Sequence, residues 1–137
     1  MTTPTVDGDA ELARLDFGPD DLRRVREVVR SITVDRVPDR VGDAEMAVHE
    51  VAVNSIVHGG GHGHLRIDAV DGSLVFTVED ADGTGSTPVV READHHAVSG
   101  RGLWIAECLT DRLVIESTPA RTTVRLHVDL PRRQPAR

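Results

Sequence analysis

The tightest constraint on the fold is the run Gly59-Gly60-Gly61 and the change of hydrophobic period across it. Upstream, apolar residues recur at helical spacing. Downstream, Leu65, Ile67 and Ala69 alternate with polar residues, the period of a half-buried strand. Three successive glycines stop a helix, since each is entropically costly to order and brings no side chain to pack. The chain must therefore change from helix to strand just after His58. Asp71-Gly72 then turns the chain and Leu74, Phe76 and Val78 alternate again, which predicts a hairpin ending at Glu79-Asp80.

The remaining elements follow from similar signals. Residues 1–11 are rich in Thr, Asp, Gly and Pro and are expected to be flexible, whereas Leu12, Leu15 and Phe17 predict a short first strand or packed arm. Pro19-Asp20-Asp21 marks a helix start, and Leu22, Val25, Val28, Val29 and Ile32 continue it until Pro38. Asp43 or a neighbour opens a second helix that runs to His58. Residues 81–99 read as mostly loop, Gly100-Arg101-Gly102 opens an apolar helix through Leu109, and Leu113–Glu116 with Val124–Leu130 form a closing antiparallel pair around a turn at Ser117–Arg121. The segment 131–137 is read as a flexible basic tail. This order predicts one α+β domain over residues 12–130, a two-layer sandwich with helices on one face of a mainly antiparallel sheet. There is no internal repeat.

Composition removes several functional classes. With 137 residues, 39% of them hydrophobic, the chain can bury a core of its own. All 16 basic residues are Arg, which excludes a Walker-type phosphate loop and any lysine nucleophile or Schiff base. A formal charge of -7 argues against direct binding to nucleic acid or to an anionic membrane. No apolar run approaches the roughly 20 residues of a membrane span, and the N-terminus lacks the order of a signal peptide. The single cysteine, Cys108, allows no disulfide within the chain, reads as an inert core thiol and fits a reducing cytoplasm.

The segment before the glycine run carries the candidate chemistry. Glu50, Asn54 and His58 stand at i, i+4 and i+8, and each step of four drifts only about 40° around a helix, so the three share one face. Val51, Val53, Ile56 and Val57 surround that stripe with apolar groups. The helix thus presents a general base, a neutral oxygen donor and a titratable ring together while packing on a core. Other readings of these residues are weaker. His49-Glu50 begins like a zinc-protease motif, but Val53 occupies the second ligand position. His58, His62 and His64 could offer imidazoles to a metal, but they straddle a glycine turn that organises ligands poorly. No Gly-x-Ser-x-Gly elbow is present. Arg23, Arg26 and Arg30 on the first helix are a candidate docking surface for an acidic partner.

Three segments in order resemble the GHKL (Bergerat-fold) ATP-binding family, which includes gyrase, histidine kinases and MutL, and most closely its anti-sigma-factor serine kinase branch. They are Glu50-x-x-x-Asn54-x-x-x-His58, the strand-ending Val78-Glu79-Asp80-Ala81-Asp82-Gly83-Thr84-Gly85, and Ser99-Gly100-Arg101-Gly102-Leu103. The resemblance covers roughly residues 12–130. It implies ATP and Mg²⁺ as ligands, Asn54 as the metal ligand, Glu50 as the base that accepts a proton from an attacking hydroxyl, and His58 beside them. It implies an adenine contact at Asp80 or Asp82, with Gly83 and Gly85 following. Gly100, Arg101, Gly102 and Leu103 would hold phosphate at a helix start, with Thr122 a further phosphate contact. The implied partners are a sigma factor and a serine-bearing anti-anti-sigma protein of STAS type, with a homodimer possible. Two other readings stay open: a partner-binding anti-sigma module in which nucleotide is structural or absent, and the catalytic half of a split histidine kinase.

Overall fold

The computed structural model describes residues 9–80 and 98–131. Alternating apolar positions form five strands, β1 (Ala10–Phe17), β2 (Gly63–Val70), β3 (Ser73–Asp80), β4 (Arg112–Thr118) and β5 (Arg121–Asp129). They make one antiparallel sheet in the order β1-β2-β3-β5-β4. The β2–β3 turn is built as its sequence requires. Asp71 and Gly72 have φ of 47° and 79°, the two positive values of a type I′ turn whose twist suits a hairpin.

Three helices, α1 (Leu22–Arg36), α2 (Val41–His58) and α3 (Val98–Leu109), cover one face of that sheet. Short 3₁₀ turns at Pro19–Asp21 and Pro38–Arg40 lead into α1 and α2. Pro19 fixes φ at the first, and the Asp21 carboxylate accepts the Gly18 amide at 2.8 Å, satisfying a donor that a helix start leaves open. The helix-facing row Leu15, Leu65, Val78, Val124 is in register across four strands, as is Ala13, Ile67, Phe76, Leu126. Against them pack Val25 and Val29 of α1, Ala44, Ala47, Val48, Val51 and Ala52 of α2, and Leu103 and Ala106 of α3. The alanines let α2, flanked by α1 and α3, lie close to β3. Phe76 is fully buried at the centre, where truncation to Ala would cost ~3–5 kcal/mol.

The other face of the sheet carries charge. Arg14, Arg66, Thr77 and Arg125 share one register row there, and pairs such as Arg14–Glu11 at 2.7 Å and Arg66–Asp68 at 2.8 Å cross it.

Some expectations change. β1 starts at Ala10, so residues 10 and 11, expected to be loose, are strand, and the Asp9 carboxylate accepts the Asp71 amide at 2.9 Å. The last hairpin is longer than predicted and turns at Pro119-Ala120 alone, because Thr122 and Thr123 are β-branched residues that suit a strand despite their polarity. Helix α3 begins at Val98 rather than at Gly100. Cys108 is exposed, not a core thiol. The expected loop over 81–99 and the tail lie mostly outside the described residues.

Candidate functional site

Helix α2 carries Glu50, Asn54 and His58 on one stripe, alongside the buried Val51, Ala52 and Ser55. Glu50 and Asn54 are half-buried, and His58 is exposed at the last turn. Two contacts fix how α3 meets this stripe. A Cβ on Gly102 would stand 3.6 Å from the Glu50 carbonyl oxygen and 3.7 Å from its Cβ, so α3 lies directly against Glu50. At its other end, Arg40 Nη2 donates to the Leu109 carbonyl at 2.9 Å. The two helices are therefore antiparallel, and four residues of rise from Gly102 and from Glu50 bring the first turn of α3 level with Asn54.

That first turn has backbone N–H groups without intrahelical acceptors and the positive end of the helix dipole. Gly100 belongs to it. Gly102 is the fifth residue of the helix, so its amide is inside the hydrogen-bonded ladder and the glycine serves the α2 contact instead. Arg101 is exposed, and Leu103 is a core residue seating α3 on the sheet.

Asp80 ends β3 at the opposite end of the same stripe. Ser55 Oγ donates to Asp80 Oδ2 at 3.3 Å, and a Cβ on Gly59 would be 2.5 Å from both the Asp80 Cγ and Oδ2 and from the Ser55 carbonyl. Only glycine fits there. The carboxylate thus stands over the C-terminal, negative end of α2, beside the Ser55 hydroxyl. Thr122 lies directly opposite Asp80 in the β3–β5 pairing, with its Oγ1 3.3 Å from Ser117 Oγ. Thr122 therefore stands at the Asp80 end of the sheet. Asp82, Gly83 and Gly85 lie outside the described residues.

On the outer face at this sheet end, an open cleft of ≈ 480 Å³ is lined by Asp16, His62, Gly63, His64, Glu79, Asp80 and Arg121. Arg121 Nη1 reaches Glu79 Oε2 at 3.2 Å, and His64 Nδ1 meets Asp16 Oδ1. Among the described residues no three His, Cys, Asp or Glu side chains gather to hold a metal ion, so His58, His62 and His64 form no such site. Of the α1 arginines read as a docking surface, Arg23 and Arg30 remain largely exposed, 3.6 Å from Glu27 and from Glu45, and Arg26 Nη1 lies 3.2 Å from His49 Nδ1.

Two residues escaped the sequence reading. Ser55 follows Asn54 on the buried face, and Gly59 reads only as a helix stop until β3 is seen to end above it.

A model of the histidine kinase-like ATPase domain matches residues 16–128. The chain belongs to the histidine kinase-like ATPase family. Membership implies a domain that binds ATP. Among solved structures, the fold is similar to the RsbU and RsbW domains of Rv1364c from Mycobacterium tuberculosis, with a TM-score of 0.62 and 22% identity over 92% of this chain. This chain spans 34% of that one. It is also similar to the Acinetobacter baumannii histidine kinase AdeS, with a TM-score of 0.52 and 11% identity over 90% of this chain and 70% of that one. No curated protein matches the sequence. Among the described residues no helix is long and apolar enough to cross a membrane.

Proposed function

We propose that this member of the family is a Mg²⁺-dependent ATP-binding regulator of the anti-sigma kinase type, which holds a sigma factor inactive and phosphorylates a serine on a small STAS-type anti-anti-sigma partner. The observation that supports this reading is the antiparallel seating of α3 on α2 through Gly102 and Glu50, which brings the first turn of α3 level with Asn54. Asn54 is the protein's ligand to Mg²⁺, supplying a neutral oxygen. The amides of the first turn of α3 hold phosphate, which suits a chain without lysine. Asp80 accepts the exocyclic amine of adenine. Gly59 lets the carboxylate come close against the negative end of α2, a place that favours an N–H donor.

Glu50 holds the proton of the attacking serine hydroxyl as the γ-phosphoryl group transfers to it. Mg²⁺, when bound, neutralises charge on the phosphates. Nothing in this division of labour asks for a lysine.

The deciding measurement is calorimetric titration with ATP, with and without Mg²⁺, of the native protein and Asn54→Ala. The native protein should bind at micromolar ATP in a Mg²⁺-dependent way, and the variant should lose that dependence. No binding at millimolar ATP would reduce the domain to a partner clamp. Glu50→Gln should keep nucleotide affinity and lower phosphotransfer by roughly 10²–10⁴-fold. Equal rates would remove Glu50 from the chemistry.

A further inference from the structure

The chain handles its buried hydroxyls on helices in two ways. Thr33 Oγ1 donates to the Val29 carbonyl at 2.7 Å, and Thr110 Oγ1 donates to the Ala106 carbonyl at 2.8 Å. Both are the local i−4 bonds that Ser and Thr make on helices when nothing else claims them. Ser55, 4% exposed and interior to α2, donates across the layer to Asp80 Oδ2 instead. Its proton is diverted from the helix to a carboxylate on a neighbouring strand. Gly59 makes that reach possible by leaving the space through which the carboxylate approaches the end of α2.

We propose that Ser55 is a positioning residue that makes Asp80 select purines presenting an amine over purines presenting a carbonyl, an inference that rests on the reading of Asp80 as the base contact. A hydroxyl has one proton to give. Given to Oδ2, it holds the carboxylate plane in one orientation and keeps the group an acceptor despite the negative helix end beneath it. An oriented acceptor rewards the amine of adenine and repels the carbonyl of guanine. Without the serine proton the carboxylate loses one of the bonds that fix its plane, and the penalty against a carbonyl at that point falls. The expected consequence is loss of discrimination rather than loss of the fold.

The test compares dissociation constants for ATP and GTP, each with Mg²⁺, for the native protein, Ser55→Ala and Ser55→Thr. Ser55→Ala should weaken ATP about tenfold while GTP stays level or improves, so that the ATP-to-GTP ratio falls by at least that factor. The Mg²⁺ dependence of binding should persist, because Asn54 is untouched. Ser55→Thr, which keeps the donor, should keep the ratio. An equal loss for both nucleotides, or an unchanged ratio in Ser55→Ala, overturns the role of Ser55 while leaving Asp80 standing. A native protein with no preference for ATP overturns the reading of Asp80 and this inference with it.

Discussion

The two ends of α2 carry charged clusters of similar composition and opposite character. At the N-terminal end, Arg40 donates to Asp43 Oδ2 at 3.1 Å, to Asp111 Oδ2 at 3.2 Å and to the Leu109 carbonyl, while Asp111 Oδ2 also accepts the Asp129 amide at 2.7 Å. That cluster closes on itself, with one guanidinium tying the starts of α2 and β4 to the end of α3, and Asp111 adding the end of β5. At the C-terminal end the comparable acid, Asp80, stands beside a glycine instead of an arginine. A charge answered by a side chain is a clamp. An acid that meets a hydroxyl and a glycine backbone at the end of a helix is held less rigidly than one clamped by a guanidinium.

The largest effect should come from Arg40→Ala. The guanidinium is partly exposed, so solvent screens its ion pairs, but removing it breaks its hydrogen bonds to Asp43, Asp111 and the Leu109 carbonyl and leaves two carboxylates facing each other. A loss of about 2–3 kcal/mol of stability is expected, read as a lower denaturation midpoint, with ATP affinity unchanged within about twofold. A comparable loss of ATP affinity would mean that the two ends of α2 are coupled and the contrast between them is false.

Gly59→Ala should act in the opposite sense, on binding more than on folding. The added Cβ would fall 2.5 Å from the Asp80 carboxylate, too near for either group to stay. Either Asp80 moves or the end of α2 does, at a cost of about 1–3 kcal/mol typical of overpacking. ATP should weaken by roughly 10–10²-fold, with GTP affected less. Retention of native ATP affinity would show that the space above Gly59 is not part of the base pocket.

The contrast also explains what was legible in the sequence. Period changes at Gly59-Gly60-Gly61 and the Asp71-Gly72 turn gave the layers, the central hairpin and the helix stripe, because local backbone preferences and one buried face decide these features. Glu50 and Asn54 were legible as a shared face for the same reason. What was hidden depends on tertiary approach: that Gly102 packs on Glu50, that Thr122 pairs with Asp80, and that Ser55 reaches β3. A hydroxyl next to Asn54 reads as an ordinary helix residue until a strand ends above it. Polar strands were under-read too, since Arg121, Thr122 and Thr123 extend β5 by pairing rather than by alternation.

The smallest effect concerns a hydroxyl with the opposite fate to that of Ser55. Thr77 is 2% exposed on the charged face of the sheet, and its Oγ1 has no hydrogen-bond partner among the described residues. Its register neighbours are Arg66 on β2 and Arg125 on β5, which are donors and are already paired with Asp68 and Glu116. The hydroxyl therefore bears a desolvation cost with no bond to offset it, whereas Ser55 offsets the same cost through Asp80. Thr77→Val keeps the branched shape that β3 favours and deletes the unanswered group, so stability should rise by up to about 1 kcal/mol, with nucleotide affinity unchanged. Ser55→Ala removes a hydroxyl of similar burial and should change nucleotide preference instead. If Thr77→Val is destabilising by more than about 0.5 kcal/mol, the hydroxyl is bonded through water, and burial alone no longer separates it from Ser55.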